Sequence, residues 1–116
     1  MTKSLEIHVD ESAEAMARRF IDAWHRAERG EPVDERHLSF ESWEGLARVL
    51  TPKRLEVLRH LRRHQVASIA ELARALGRDY KRVHADVEAL AAAGLIDRTP
   101  AGLRADYSEI RARIAV

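Results

Sequence analysis

The residues of this chain best equipped for recognition chemistry lie close together: Arg78, Tyr80, Lys81, Arg82 and His84. Lysine and arginine donate hydrogen bonds to phosphate oxygens and to the acceptor edge of guanine, and arginine can do so through two parallel bonds. Tyr80 and His84 offer a further hydrogen bond or a stacking face. The local spacing puts these groups on the outer side of the first turns of one helix. Val83, Val87, Leu90 and Ala91 recur at the helical period on the opposite side, Asp79 stands where an N-cap belongs, and Gly94 ends the run.

A helix in this position needs a neighbour to hold it, and residues 68–77 read as one. Ser68 and Glu71 have the spacing of a reciprocal capping box, Ile69, Leu72, Ala73 and Leu76 form an apolar stripe, and Gly77 supplies a left-handed stop. Two short helices one tight turn apart, the second with a basic start, are the sequence form of a helix-turn-helix. Ser68 would also present backbone N–H groups to a phosphate. Beyond Leu95 and Ile96, two short runs flank Pro100-Ala101-Gly102, which predicts a β-hairpin whose Arg98 and Arg104 could reach a minor groove or the adjacent backbone. Together these eight residues, Ser68, Arg78, Tyr80, Lys81, Arg82, His84, Arg98 and Arg104, are the candidate DNA contacts.

The charge distribution agrees with that placement. The whole 116-residue chain has a formal net charge of only +1. Residues 48–85 nevertheless hold 10 Lys/Arg against 3 Asp/Glu, whereas residues 1–47 hold 6 against 11. The positive block coincides with the two helices and the one before them, where phosphates would be met. Cysteine is absent, which excludes disulfides, thiolate metal sites and cysteine catalysis and fits a cytoplasmic protein. No apolar run approaches membrane-spanning length and the N-terminus lacks a signal peptide's apolar core, so neither a membrane nor a secretory route is expected. There is no Gly-rich phosphate loop, no Ser/His/Asp constellation and no evident carboxylate pair, so no enzyme, cofactor or metal is expected. His60 and His64 have metal-ligand spacing, but two ligands beside Arg62 and Arg63 read as a solvated basic face.

The remaining elements follow in order. Leu5, Ile7 and Val9 alternate with Ser4, Glu6 and His8, a half-buried strand. A helix then runs from Asp10 or Ser12 to about residue 29, with Ala13, Met16, Phe20, Ala23/Trp24 and Ala27 at helical spacing and Gly30 as its stop. Met16, Phe20 and Trp24 are expected in the core or in a dimer or partner interface, and Trp24 and Trp43 are read as core. Residues 31–37, with Pro32, read as a loop, Leu38-Ser39-Phe40 as a brief extended segment, and residues 41–50 as a helix. Thr51-Pro52 is a cap followed by a residue preorganised for the first helical turn. The helix after it turns Leu55, Leu58 and Leu61 inward and Lys53, Arg59, Arg62 and Arg63 outward. At the C-terminus, Ile110, Ala112, Ile114 and Val116 alternate with Glu109, Arg111, Arg113 and Ala115, a strand whose Ile110 and Ile114 are further interface candidates. The terminal strands need edges to pair with, in this chain, a second copy or a partner.

The segments LTPKRLEVLRHL and SIAELARALGRDYKRVHADVEALAAAGLI, with the hairpin after them, resemble small prokaryotic winged-helix regulators of the MarR/ArsR type. The similarity covers residues 38–116 well and the first helix loosely. It implies a mainly α fold with a small β component (α+β): a winged helix-turn-helix in residues 51–116 including the C-terminal strand, and an N-terminal strand and helix extension in residues 1–50, together one compact domain. It further implies a dimeric, sequence-specific double-stranded DNA-binding repressor, alternatively an antitoxin that neutralises a toxin partner while repressing its own operon. The long dimerisation helices of MarR proteins, and the small-ligand pocket between them, are mostly missing.

Overall fold

Strand pairing decides the organisation of the chain. The computed structural model describes residues 3–31 and 35–116, with the side chain of Glu35 excepted. Among them, β1 (Ser4–Val9) is the middle strand of a three-stranded sheet of order β2-β1-β5, with β2 at Glu35–Phe40 and β5 at Glu109–Ile114. Both pairings are parallel, with Leu5 opposite Arg36 and Ile110, and Val9 opposite Phe40 and Ile114. Parallel strands require a crossover, and α1 (Ala13–Glu28) supplies it between β1 and β2. The terminal strands therefore pair within one chain.

Two compact units result, one of residues 1–46 with 108–116 and one of residues 47–107. The expected division differs in two respects: the C-terminal strand joins the N-terminal unit, and the chain forms two units rather than one. The physical reason is that β1 has hydrogen-bonding groups on both edges, and β5 satisfies one of them. A further difference is the length of β2, six residues where the sequence predicts only three as extended; Pro32 and the rest of 32–34 lie outside the described residues.

In the first unit, Leu5, Ile7 and Val9 are almost completely inaccessible. Helix α1 is capped by Ser12, whose hydroxyl accepts from Ala15 N at 3.1 Å. It buries no residue at all. Met16, Phe20 and Trp24 are 43, 69 and 59 % exposed, so they are not core. Trp43, at the start of α2 (Trp43–Val49), is also about half exposed and not core. Ile110 is half-buried and Ile114 exposed.

The second unit contains α3 (Pro52–Arg63), α4 (Ile69–Leu76), α5 (Tyr80–Ala92) and a hairpin of β3 (Asp97–Thr99) and β4 (Gly102–Arg104). Thr51 caps α3 with Pro52 in its first turn. Val57, Leu58 and Leu61 of α3, Leu72 and Ala73 of α4, and Val83, Val87 and Leu90 of α5 form the core with Leu95, Ile96 and Leu103. Leu55, expected inward, is only half-buried, and Val57 takes a core position instead. Leu95 and Ile96 are buried outside the strand ladder, which begins at Asp97. The buried Tyr107 hydroxyl donates to Leu95 O at 2.7 Å and ties the end of the unit to its centre.

The hairpin approaches the α3–α4 connection closely. Leu103 N donates to Val66 O at 2.9 Å. Gly102 has φ +130°, and a Cβ there would lie 2.0 Å from Val66 O. Only glycine allows this approach. Gly102→Ala should therefore cost roughly 2–4 kcal/mol, combining backbone strain with a steric insertion. Gly30→Ala, at φ +76° with open space around it, should cost only about 1–2 kcal/mol. Chemical denaturation of the two variants checks both the order and the gap.

Candidate nucleic-acid interface

The sequence places the basic residues on α5, and local capping builds that placement. Asp79 Oδ2 accepts from Arg82 N at 3.2 Å and starts the helix. Gly77, at φ 63°, ends α4 with its N–H directed to carbonyls of that helix. The Ser68 hydroxyl accepts from Glu71 N at 3.1 Å, while the Glu71 carboxylate accepts from Ala67 N at 2.8 Å. The capping box is thus displaced by one residue at its second bond, and the Ser68 side chain is occupied in holding its own helix.

The eight candidate contacts differ sharply in availability. Lys81 and Arg82 are exposed, and neither forms an ion pair among the described residues. Tyr80 is half exposed, with its ring 5.8 Å from that of His84. His84 lies 3.7 Å from Glu88, one turn further along α5. Glu88 in turn holds Arg98 of β3, and this arginine holds the Glu88 carboxyl below the usual glutamate range. Arg104 pairs with Asp106 at 3.3 Å. Both hairpin arginines therefore carry a local carboxylate partner, although each remains about half exposed.

Arg78 plays a different part from the one its place in the sequence suggested. Its Nη2 donates to Asp86 Oδ2 at 2.8 Å, and its side chain is only 15 % exposed. The other oxygen of Asp86 accepts from Arg54 Nε of α3 at 3.1 Å. Arg54 Nη1 continues to the carbonyls of Arg48 and Val49 at 2.9 and 3.1 Å, closing the start of α3. One carboxylate thus clasps two arginines and fixes α3 to α5 and to the turn before it.

The spacing of α3 predicts Lys53 on its outer face, apart from the eight candidate contacts. The structure brings it to a shallow hollow shared with Arg78, Asp79 and Arg82. Its signal was its position in the first turn after Thr51-Pro52; what the sequence lacked was the angle at which α3 crosses α5. The rings of His60 and His64 lie tilted to one another with centroids 4.9 Å apart, and no group of three metal-ligating side chains occurs among the described residues.

A second polar cluster lies in the first unit, in a cleft of about 700 Å3 between the polar face of the sheet and α1. His8 Nδ1 is 3.1 Å from Glu11 Oε2, His8 Nε2 is 2.9 Å from His37 Nδ1, and Arg19 Nη2 is 2.7 Å from Glu11 Oε1. Burial, reinforced by the Arg19 cation, pushes the His8 pKa down from 6.5. The neutral ring then donates from Nδ1 to Glu11 and accepts at Nε2 from His37. The hydrogen bond from Arg19 likewise pulls the Glu11 carboxyl below its ordinary 4.5.

These elements make an α+β chain whose second unit presents a basic helix start beside a hairpin. It belongs to the HVO_A0114 family, whose model matches residues 49–112, more than half of the 116 residues. No curated protein and no solved structure matches the chain. No helix among the described residues is long and apolar enough to cross a membrane.

Two outcomes follow from this geometry. Asp86→Ala leaves two largely buried guanidinium groups without their partner and should cost roughly 2–4 kcal/mol in a denaturation titration. Because the His8 pKa is depressed on folding, its stabilisation is complete above pH 6.5 and is lost as the pH falls from there towards the folded value. Glu11 acts in the same direction at lower pH. Acidification from about pH 7.5 to about pH 5.5 should therefore lower the melting temperature, and His8→Asn should flatten that dependence.

Proposed function

We propose that this protein is a winged helix-turn-helix, sequence-specific double-stranded DNA-binding regulator acting in the cytoplasm. In this reading α4 and α5 are the bihelical unit, α3 is its supporting helix, and the β3–β4 hairpin is the wing. The observation that carries it is the exposed, unpaired Lys81 and Arg82 pair in the first turn of α5, with Lys53 converging on Arg82 from α3. A helix entering the major groove contacts base edges with its first turns, and the supporting helix meets the backbone. Arg82 and Lys81 are suited to guanine O6 and N7 or to flanking phosphates, and Lys53 to a phosphate. Tyr80 and His84 complete the face.

The available charges divide the labour further. Arg98 and Arg104 approach DNA only in competition with Glu88 and Asp106, so their contribution is smaller than that of an unpaired arginine. Arg78 supports the surface through Asp86 rather than entering it. Binding of this kind releases counterions, so affinity falls steeply with salt.

The test is selection of bound duplexes from a random pool, followed by binding titrations on the selected sequence. Lys81→Ala with Arg82→Ala should leave the unfolding free energy within about 1 kcal/mol of the parent and abolish specific binding. Lys53→Ala should weaken binding evenly across sequences and lower the salt slope by about 1. A folded double variant that binds as tightly as the parent would overturn the proposal.

A further inference from the structure

The unusual element is α1, which is amphipathic in the reverse sense for a crossover helix. Its Ala15, Arg19, Asp22 and Arg26 line the cleft against the polar face of its own sheet. Met16, Phe20 and Trp24 point elsewhere and stay exposed, together with the half-exposed Ile21. With large side chains of about 150–250 Å2 each, these four leave roughly 500 Å2 of apolar surface open. That is at the upper end of what monomers tolerate and more than half of one side of a standard interface.

The order of residues along that stripe suits a second copy of the same helix. Three positions on either side of Phe20 stand Ala17 and Ala23, four positions away Met16 and Trp24, and seven positions away Ala13 and Ala27. Large and small residues are thus distributed symmetrically about Phe20. About a two-fold axis at Phe20 this order sets large residues against large and small against small, with residue i meeting residue j where j meets i. We infer that α1 pairs antiparallel with α1 of a second copy of this chain across a two-fold axis at Phe20. Phe20 meets its own counterpart, each Met16 meets the partner's Trp24 in a sulfur–aromatic contact, and the alanines let the backbones approach. The two helix dipoles also run in opposition. Arg19 and Arg26 are engaged with Glu11 and Asp22 and leave the stripe free for this contact.

The inference is tested without DNA, so it stands or falls separately from the proposed function. Light scattering on the full chain should give twice the 13.2 kDa chain mass at micromolar concentration. Phe20→Glu should return it to the single-chain mass with unchanged helical circular dichroism, since Phe20 contributes nothing to the core. A parent that stays monomeric, or a Phe20→Glu variant that stays dimeric, would overturn the pairing. The absence of native cysteine allows its direction to be read. Under mild oxidation Phe20→Cys should cross-link with itself, and Met16→Cys should cross-link to Trp24→Cys in a mixture. Met16→Cys cross-linking readily with itself and not with Trp24→Cys would mean a parallel pair and would overturn the antiparallel arrangement.

Discussion

Strand β1 is the constraint on which the arrangement of the chain depends. It is hydrogen-bonded along both edges, to β2 on one side and β5 on the other, so it ties residues near the two ends of the chain into one sheet. Residues 47–107 must therefore leave that unit after β2 and come back to it at β5. An isolated parallel ladder of three short strands is weak, and parallel sheets require cover on both faces. One face of β1 meets this requirement with Leu5, Ile7 and Val9, all inaccessible. The other carries Glu6 and His8; the Arg19–Glu11–His8–His37 chain gives His8 its hydrogen bonds, and Ser4 Oγ donates to Glu6 Oε1 at 3.3 Å.

That polar sheet face determines the character of α1. A crossover helix ordinarily turns its apolar stripe to the sheet; here the sheet offers carboxylate and imidazole groups, and the helix answers with arginines. Its apolar side is left over. The stripe is thus the consequence of a choice made on β1, and its symmetry about Phe20 gives that surplus surface a self-complementary use.

In the second unit, Asp86 has the corresponding part. By accepting from both Arg54 and Arg78 it fixes α3 against α5 and the preceding turn, and it takes Arg78 out of the exposed basic set. Glu88 and Asp106 do the same in part for the hairpin arginines. At the first turn of α5 this leaves Lys81 and Arg82 without a carboxylate partner among the described residues, with Lys53, itself 3.8 Å from Glu56, beside them. Local ion pairs, more than the number of basic residues, define the proposed DNA contact surface.

Local signals were sufficient for most of the elements. Ser12, Thr51, Ser68 and Asp79 cap the helices that their spacing predicted, Gly77 ends α4 in the left-handed region, and the alternation of Leu5, Ile7 and Val9 matches a strand with one buried face. Each depends on hydrogen bonds or side-chain periodicity within a few residues, which a sequence displays directly. The expectations that differed all depended on distant partners. The exposure of Met16, Phe20 and Trp24, the membership of β5 in the first unit, the withdrawal of Arg78 to Asp86 and the convergence of Lys53 on Arg82 each follow from which surfaces meet. An apolar stripe on α1 reads the same whether it faces a core or solvent, and an arginine reads the same whether it is free or clasped. By itself, the sequence determined where the capped helices begin and which residues are basic; the tertiary structure alone decided the extent of β2, which apolar face stayed uncovered and which charges stayed available, because strand pairing, burial and ion pairing are properties of neighbours far apart in the chain.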